Sequence, residues 1–441
     1  MCIFAIEKVY YMSYYKRTAD ALLQDLLDAF GAVLIEGPKW CGKTPTASQL
    51  ANSILRMQDP SMREEYLATA KTKPSILLKG DTPRLIDEWQ DAPMLWDAVR
   101  TTVDDRQVPG QFILTGSNAV DKSQIHHSGA GRIARLRMLP MSLWESQEST
   151  GEVSLKELFN NPDYDIDGKM SKMTVEDLIF AASRGGWPAS LLARTPKAQL
   201  LVAKNYVQTI CSDDVSGIDG KKRDAKLTSM ILRAYARNVS TLVKKKSLLD
   251  DVTSSGEVSC HIDTFDDYVS ALEKLFVIQN ISAWCPAIRS KTAIRSSVKR
   301  CFCDPSIPIA LLGLSPEALS MQLRTFGFIF EQMCIRDLKA YTIDLNSHVS
   351  YYHDRYDLEA DIVLHLEDGR YALIECKLGS SEIDEGSKHL LELKRLIQEH
   401  NKTEKQVPLR EPDLLIVMTG GSMAYTRLDG VKVIPLACLK D

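Results

Sequence analysis

Apolar positions recur at helical spacing in "RTADALLQDLLDAF", close up into the short run "AVLIEG" and return at helical spacing in "TASQLANSIL"; the compact runs "RLIDEW" and "QFILTGS" follow. Helices alternating with short, continuously apolar strands predict a parallel, helix-covered sheet over residues 17–145. Residues 146–215 read as helical, broken at "RGGWP". Residues 216–300 read as helix, basic turn "KKKS", helix and the amphipathic "FDDYVSALEKLFVIQNISAW", the pattern of a helix-turn-helix or winged-helix unit. From 301 to 441 the pattern changes to a helix in "FGFIFEQMCIRDLKAY" and paired strands around "EDG". Residues 1–16 join none of these patterns and read as an N-terminal extension, in which Met12 is the more natural start.

The last pair of strands, in "LEADIVLHLEDGRYALIECKLG", has a register that can be inferred. With Glu367, Asp368 and Gly369 as a three-residue loop and Gly369 left-handed, Leu358, Ala360, Ile362 and Leu364 oppose Leu378, Cys376, Ile374 and Ala372 in one apolar face. The same register sets Asp361 opposite Glu375 and Glu359 opposite Lys377.

Composition narrows the classes. The 441 residues, 44% hydrophobic and 25% charged, fit two to four globular domains and exclude a disordered or fibrous chain. A net charge of -4 gives no whole-chain attraction to nucleic acid or anionic lipid, so such binding must rest on local patches. Lys221, Lys222 and Arg223, then Lys244, Lys245 and Lys246, then Arg289, Lys291, Arg295, Lys299 and Arg300 are such patches. They make DNA a candidate partner, although solvated loops have the same composition. No run approaches the roughly eighteen apolar residues of a membrane span, and the N-terminus has no small-residue cleavage site, so the chain reads as cytoplasmic, without a membrane partner. Ten scattered cysteines lack paired zinc spacing and read as reduced thiols.

Chemistry enters at "GPKWCGKTPTAS", where Gly37-x-x-x-x-Gly42-Lys43-Thr44 lies between an apolar strand and a helix. Such a loop turns backbone N–H groups around phosphates, with Lys43 reaching the β and γ phosphates and Thr44 ligating Mg²⁺. Gly37, Pro38, Lys39, Trp40, Cys41, Gly42, Lys43, Thr44 and Pro45 are therefore the expected ATP-binding loop. In "PRLIDEWQ", Asp87 at a strand end is expected to hold the same Mg²⁺ and Glu88 to polarise the attacking water, unless the acidic pair caps a helix. Thr115, Ser117 or Asn118 at the end of "QFILTGSN" is placed to sense the γ-phosphate, Ser117 being the candidate carried forward; a polar strand-end turn has the same composition. Arg132 is the candidate finger for transition-state charge, on this chain or a neighbouring subunit, with Arg135, Arg137 and Arg184 as competitors; alternating arginines also describe a solvated strand face.

Pro45 departs from the pattern. In the first turn of a helix its missing N–H has no intrahelical partner, so the helix should tolerate it. The lost N–H is one that normally faces the α-phosphate, and proline biases Thr44 away from helical geometry. The expectation is nucleotide binding that is weakened and not abolished.

In the last domain two facing carboxylates repel unless a cation separates them, so Asp361 and Glu375 are expected metal ligands and, with Lys377, expected catalytic residues. The alternative is an exposed sheet face with Glu359–Lys377 and Glu375–Lys377 ion pairs. Asp361-x(13)-Glu375-x-Lys377 is the PD-(D/E)xK nuclease arrangement, with Glu331 on the preceding helix as its extra acid; "EAD" lacks the usual proline before the Asp.

The stretches "YYKR", "LIEGPKWCGKT", "PRLIDEWQDAP", "FILTGS", "GRIARLRMLPMSLWES", "GGWP" and "IECKLG" together resemble prokaryotic AAA-superfamily ATPases whose ATPase domain is fused to a C-terminal domain of unknown function with a nuclease-like fold. The resemblance spans nearly the whole chain. It implies an α/β chain: a P-loop NTPase core of AAA type at 17–145, a helical lid at 146–215, a winged-helix-like unit at 216–300 and a restriction-endonuclease-like domain at 301–441. It also implies ATP with Mg²⁺ as cofactors. A homo-oligomer or a partner protein stays open. The expected function is a Mg²⁺-dependent ATPase coupled to DNA binding or cleavage, or else a non-catalytic nucleotide-dependent regulator with the last domain as scaffold.

Overall fold

In the computed structural model, which describes residues 14–117, 128–254, 256–284, 297–354, 356–403 and 408–441, the apolar runs of the first third become strands of one sheet. These are β1 (Ala32–Glu36), β2 (Ser53–Arg56), β3 (Arg84–Asp87), β4 (Phe112–Gly116) and β5 (Ile133–Arg137), all parallel, in the order β2-β3-β4-β1-β5. Helices α1 (Ala19–Ala29), α2 (Lys43–Leu50), α3 (Arg63–Thr72) and α4 (Met94–Arg106) cover both faces. Leu34, Ile86 and Leu114 pack on Trp96 and Val99 of α4, while Val33, Ile35 and Ile113 pack on Leu23 and Leu27 of α1. Burial on both faces is why these strands are unbroken apolar runs. One expected helix is shorter than its sequence suggests: α2 stops at Leu50, and pairing of Ile54 and Leu55 with β3 turns "SILR" into an edge strand.

The middle of the chain carries β6 (Val153–Ser154), α5 (Leu155–Asn160), α6 (Val175–Arg184), α7 (Pro188–Leu191), α8 (Pro196–Thr209), α9 (Val215–Gly217), α10 (Ala225–Arg237), α11 (Lys245–Thr253) and α12 (Ile262–Lys274). Antiparallel bridges Ile278–Phe302 and Ile281–Lys299 then bring the chain back on itself. Arg289, Lys291, Arg295, Asn118 and Met12 lie outside the described residues.

The last third holds α13 (Ser306–Leu312), α14 (Pro316–Ser320), α15 (Leu323–Tyr341), β7 (His348–His353), β8 (Glu359–His365), β9 (Tyr371–Lys377), α16 (Ile383–Thr403), β10 (Leu414–Thr419), β11 (Tyr425–Thr426), β12 (Lys432–Pro435) and β13 (Leu439–Lys440). Its mixed sheet has the order β11-β12-β10-β9-β8-β7. Ile362 faces Ile374 and Leu364 faces Ala372, and the Leu366 N–H closes the loop onto Arg370 O at 2.8 Å with Gly369 at φ 86°, so the inferred register holds there. The β8–β9 ladder stops at Ile362–Ile374, one residue short of Asp361. The neighbouring β7–β8 register shifts between Ser350 and Tyr352, and the Asp361 carboxylate accepts the Cys376 N–H at 2.9 Å. The Glu375 face is not exposed: α16 covers it, with Gly386 against the side chains of Glu375 and Lys377.

The start of the segment expected as a lid is stitched to the C-terminal stretch that follows this sheet, in a separate two-stranded sheet. β6 pairs with β13, the Thr150 N–H donates to Ala437 O at 2.9 Å, and one apolar core runs from Leu143 to Leu439. Among the described residues no helix is long and apolar enough to cross a membrane.

Candidate nucleotide site and C-terminal carboxylates

β4 lies between β1 and β3, so its end falls between the loop that follows β1 and the end of β3. That loop makes two turns only glycine accommodates. Gly37 has φ 154°, and a Cβ there would sit 2.3 Å from Met138 O; Gly42, at φ 102°, caps α2. Lys43 is buried and folds back, donating from Nζ to Gly37 O at 3.0 Å and Pro38 O at 2.8 Å. Thr44 Oγ1 donates to Asp87 Oδ1 at 2.6 Å, and Thr115 Oγ1 donates to the same oxygen at 2.6 Å. Glu88, with φ 56°, is held by Ser117 Oγ at 3.2 Å and by the Gln90 side-chain amide. Thr44, Asp87, Glu88 and Ser117 therefore meet as expected, and Thr44 and Asp87 are the pair fitted to hold Mg²⁺. The cleft beside them, about 1140 Å³, is lined by Thr44, Glu88 and Ser117 together with Lys39, Trp40, Gly42, Lys43 and Pro45.

Pro45 is the third residue of α2, and the helix continues past it with Thr46 N–H on Gly42 O at 3.1 Å. The bias proline was expected to place on Thr44 does not pull its hydroxyl off Asp87.

Arg132 does not join this site within the chain. It precedes β5, at the opposite end of the sheet from the loop, and pairs with Asp104 at 2.8 Å. Arg135 pairs with Glu36 and Arg184 with Glu148. Among the described residues no arginine lines the nucleotide cleft.

Sequence reasoning passed over the residue that braces the loop. Arg17, buried, donates to Cys41 O and Leu139 O, each at 2.7 Å, and pairs with Glu145 at 3.0 Å. Burial opposes the Glu145 charge, but Arg17 and the N–H groups of Ser142 and Thr18 outweigh it and hold its pKa below the ordinary value. The basic end of "YYKR" just before α1 was the available signal. Equally unannounced is a chain of contacts leading away from the loop. Trp40 packs on Tyr206 at 5.5 Å between ring centroids and Tyr206 on Trp187 at 4.3 Å; the Trp187 indole N–H donates to Ser306 Oγ at 3.0 Å. Ser306 and the Gly186 N–H both bond Asp304, which pairs with Arg336 of α15 at 3.1 Å.

In the last domain Lys299 supplies a buried cation to Glu331 and Asp361. Its Nζ bonds Glu331 and the Asp361 carbonyl and lies 3.7 Å from Asp361 Oδ1. Burial opposes its charge, yet Glu331 and Asp361 raise its pKa above the ordinary lysine value. Asp361 is engaged by Lys299 and Cys376, while its charge still acts on Glu375. Glu375 is fully buried; its Oε2 lies 3.0 Å from Lys377 Nζ and its Oε1 3.7 Å from His389 Nδ1, both outside hydrogen-bond geometry. Burial and then Asp361 push Glu375 up to about 9 despite Lys377. Glu359, Glu375 and His389 have ligand atoms all within 4.8 Å of one another, a grouping that could hold a divalent ion and that shares Glu375 with the expected pair.

Residues 29–147 match a family model described as an AAA domain. Together with the all-parallel sheet and its loop, this decides the fold of the first third. The N-terminal domain is a P-loop ATPase fold. The match supports ATP binding. Residues 175–318 and 326–439 match two models, each described as a domain of unknown function (DUF8612 and DUF4143). An uncharacterized protein of Mycobacterium tuberculosis and one of Mycobacterium bovis are each 24% identical over 366 residues, covering 81% of this chain and 72% of their own length. Among solved structures, a Walker-type ATPase of Pyrococcus abyssi is similar at 12% identity and a TM-score of 0.37, over 68% of this chain and 96% of its own. A DNA replication initiation factor is similar at 12% identity and a TM-score of 0.25, over 58% of this chain and 86% of its own.

Proposed function

We propose that this chain hydrolyses ATP with Mg²⁺ and passes its nucleotide state to the C-terminal domain. The observation that carries the reading is the meeting of Thr44, Asp87 and Glu88 beside the glycine-rich loop. Mg²⁺ bound by Thr44 and Asp87 would neutralise charge on the β and γ phosphates. Lys43 would exchange Gly37 O and Pro38 O for phosphate oxygens. Glu88, aimed by Ser117 and Gln90, would orient the attacking water and accept its proton. Since no described arginine lines the cleft, an arginine for the transition-state charge would come from a second copy or a partner protein.

The experiment is phosphate release by the full chain beside Glu88→Gln. We expect the variant to keep bound ATP while turnover falls at least about 100-fold, the scale of general-base catalysis. Absence of turnover in the unaltered chain contradicts the ATPase reading and leaves a nucleotide-gated regulator. For the C-terminal domain, the engagement of Asp361 by Cys376 and Lys299 favours a scaffold over a nuclease. DNA cleavage that needs Mg²⁺ or Mn²⁺ and is lost in Glu375→Ala overturns that preference.

A further inference from the structure

A second cleft, about 820 Å³, opens where the ATPase sheet, the middle helices and α15 meet. Five cationic side chains line it, Arg135, Arg137, Lys245, Arg300 and Lys339, against two carboxylates, Asp266 and Glu273. Much of this charge is already matched. Arg135 lies 3.2 Å from Glu36 and Lys245 2.8 Å from Asp266, while Glu273 bonds the neutral Asn280 at 3.2 Å and keeps its charge near Arg300. Three cations are left over against this one carboxylate. Arg137 lies over the Phe276 ring at 4.9 Å and makes no ion pair among the described residues. Arg300 donates to Val243 O and Tyr235 OH, both neutral. Lys339, on α15, has neither a hydrogen bond nor an ion pair among the described residues. Burial lowers the pKa of Lys339, with Arg137 adding its repulsion; Arg137 itself is exposed at the end of β5, where partial desolvation lowers its pKa and the more distant Glu36 opposes the shift. Three cations gathered in one cleft against a single carboxylate mark a place for an anion.

The basic patches legible in the sequence make a poorer case. Lys221 and Arg223 pair with Asp267, Lys245 with Asp266, and Lys299 with Glu331.

We infer that this cleft binds the phosphodiester backbone of a nucleic-acid strand, with Arg137, Arg300 and Lys339 as its phosphate contacts. Side chains of Ser282, Asn346 and Ser347 line the same walls and can donate to phosphate oxygens. No glycine lines the cleft, so it lacks the wrapping loop that holds a mononucleotide at the other site. Because Arg137 belongs to β5 of the ATPase sheet and Lys339 to α15, a bound strand bridges the two domains.

The test uses the full chain, without nucleotide, and a fluorescein-labelled single strand and duplex, read by anisotropy across a salt series. Arg137→Gln and the near-isosteric Lys339→Met, alone and together, are compared with Lys222→Ala/Lys246→Ala, with thermal melting of each to confirm folding. We expect the double variant to lose at least about tenfold in affinity and its salt slope to fall by about one to two, one phosphate contact per removed charge. The exposed-lysine variant should bind as the unaltered chain does. Absence of binding, or equal affinity and salt slope in Arg137→Gln and the double variant, overturns the inference. So does stabilisation by millimolar inorganic phosphate or ADP, measured in a Lys43→Ala background, that needs Lys339 while no strand binds: a free phosphate compound is then the ligand. Phosphate release measured on the same preparations separates this outcome from failure of the ATPase reading.

Discussion

Replacing Pro45 by threonine restores one backbone N–H in the first turn of α2, and the structure says what that N–H does. It has no intrahelical acceptor, because Pro45 is the third helical residue after the Gly42 cap, so helix stability gains nothing from it. It does not correct Thr44 either, whose hydroxyl already lies 2.6 Å from Asp87. What remains is one charge-assisted hydrogen bond to a phosphate oxygen, about 1.5–3 kcal/mol, or about 10- to 150-fold in affinity. Loss of proline frees the unfolded chain at a cost of about 0.4–1 kcal/mol. The variant should therefore melt slightly lower without nucleotide and bind ADP and ATP at least about tenfold tighter. Isothermal titration with and without Mg²⁺, on Pro45→Thr and Pro45→Ala, reads both effects. Since the gain belongs to the amide, both variants should show it, and it should persist without Mg²⁺. Affinities equal to the unaltered chain's refute the argument; a gain confined to Mg²⁺-bound nucleotide places the defect at Thr44 instead.

Breaking the buried Arg17–Glu145 pair by Glu145→Gln strands a buried guanidinium and should cost about 3–5 kcal/mol in urea unfolding. Because the folded pKa of Glu145 lies below its ordinary value of 4.5, its contribution is present above that pH and lost as pH falls further; stability against pH should be flatter on the acid side in the variant, and an unchanged acid limb contradicts the assignment. Trp187→Phe keeps a ring against Tyr206 but removes the donor to Ser306, so ATP-dependent protection of α15 in hydrogen exchange should shrink while stability moves by about 1 kcal/mol. Equal protection in variant and unaltered chain rules out that route of coupling.

The parts of this molecule legible in sequence are those whose chemistry is local. A parallel sheet buried on both faces writes itself as unbroken apolar runs, and a phosphate loop needs glycine at fixed spacing, so β1, β3, β4 and residues 37–45 could be placed beforehand. The pleat could set Asp361 near Glu375 but could not announce that its carboxylate also accepts the Cys376 N–H and faces Lys299. Lys299 read as part of a surface patch because nothing in its neighbours along the chain announces Glu331 or the carbonyl of Asp361. Arg132, Arg135 and Arg137 look alike in sequence, and only the direction of β5 separates the end that faces the loop from the end that does not. Arg17 and the contacts from Trp40 to Arg336 join residues far apart in the chain, which no local pattern encodes.

The central claim is that residues 37–45 with Asp87 and Glu88 form a working nucleotide site, and a crystal structure with Mg²⁺ and a non-hydrolysable ATP analogue tests it most directly. We expect the triphosphate along the loop, Lys43 Nζ moved from Gly37 O and Pro38 O onto phosphate oxygens, Mg²⁺ between Thr44 and Asp87, and Glu88 facing the γ-phosphate. A loop that stays empty at saturating analogue, with Lys43 still on its own carbonyls, contradicts the claim.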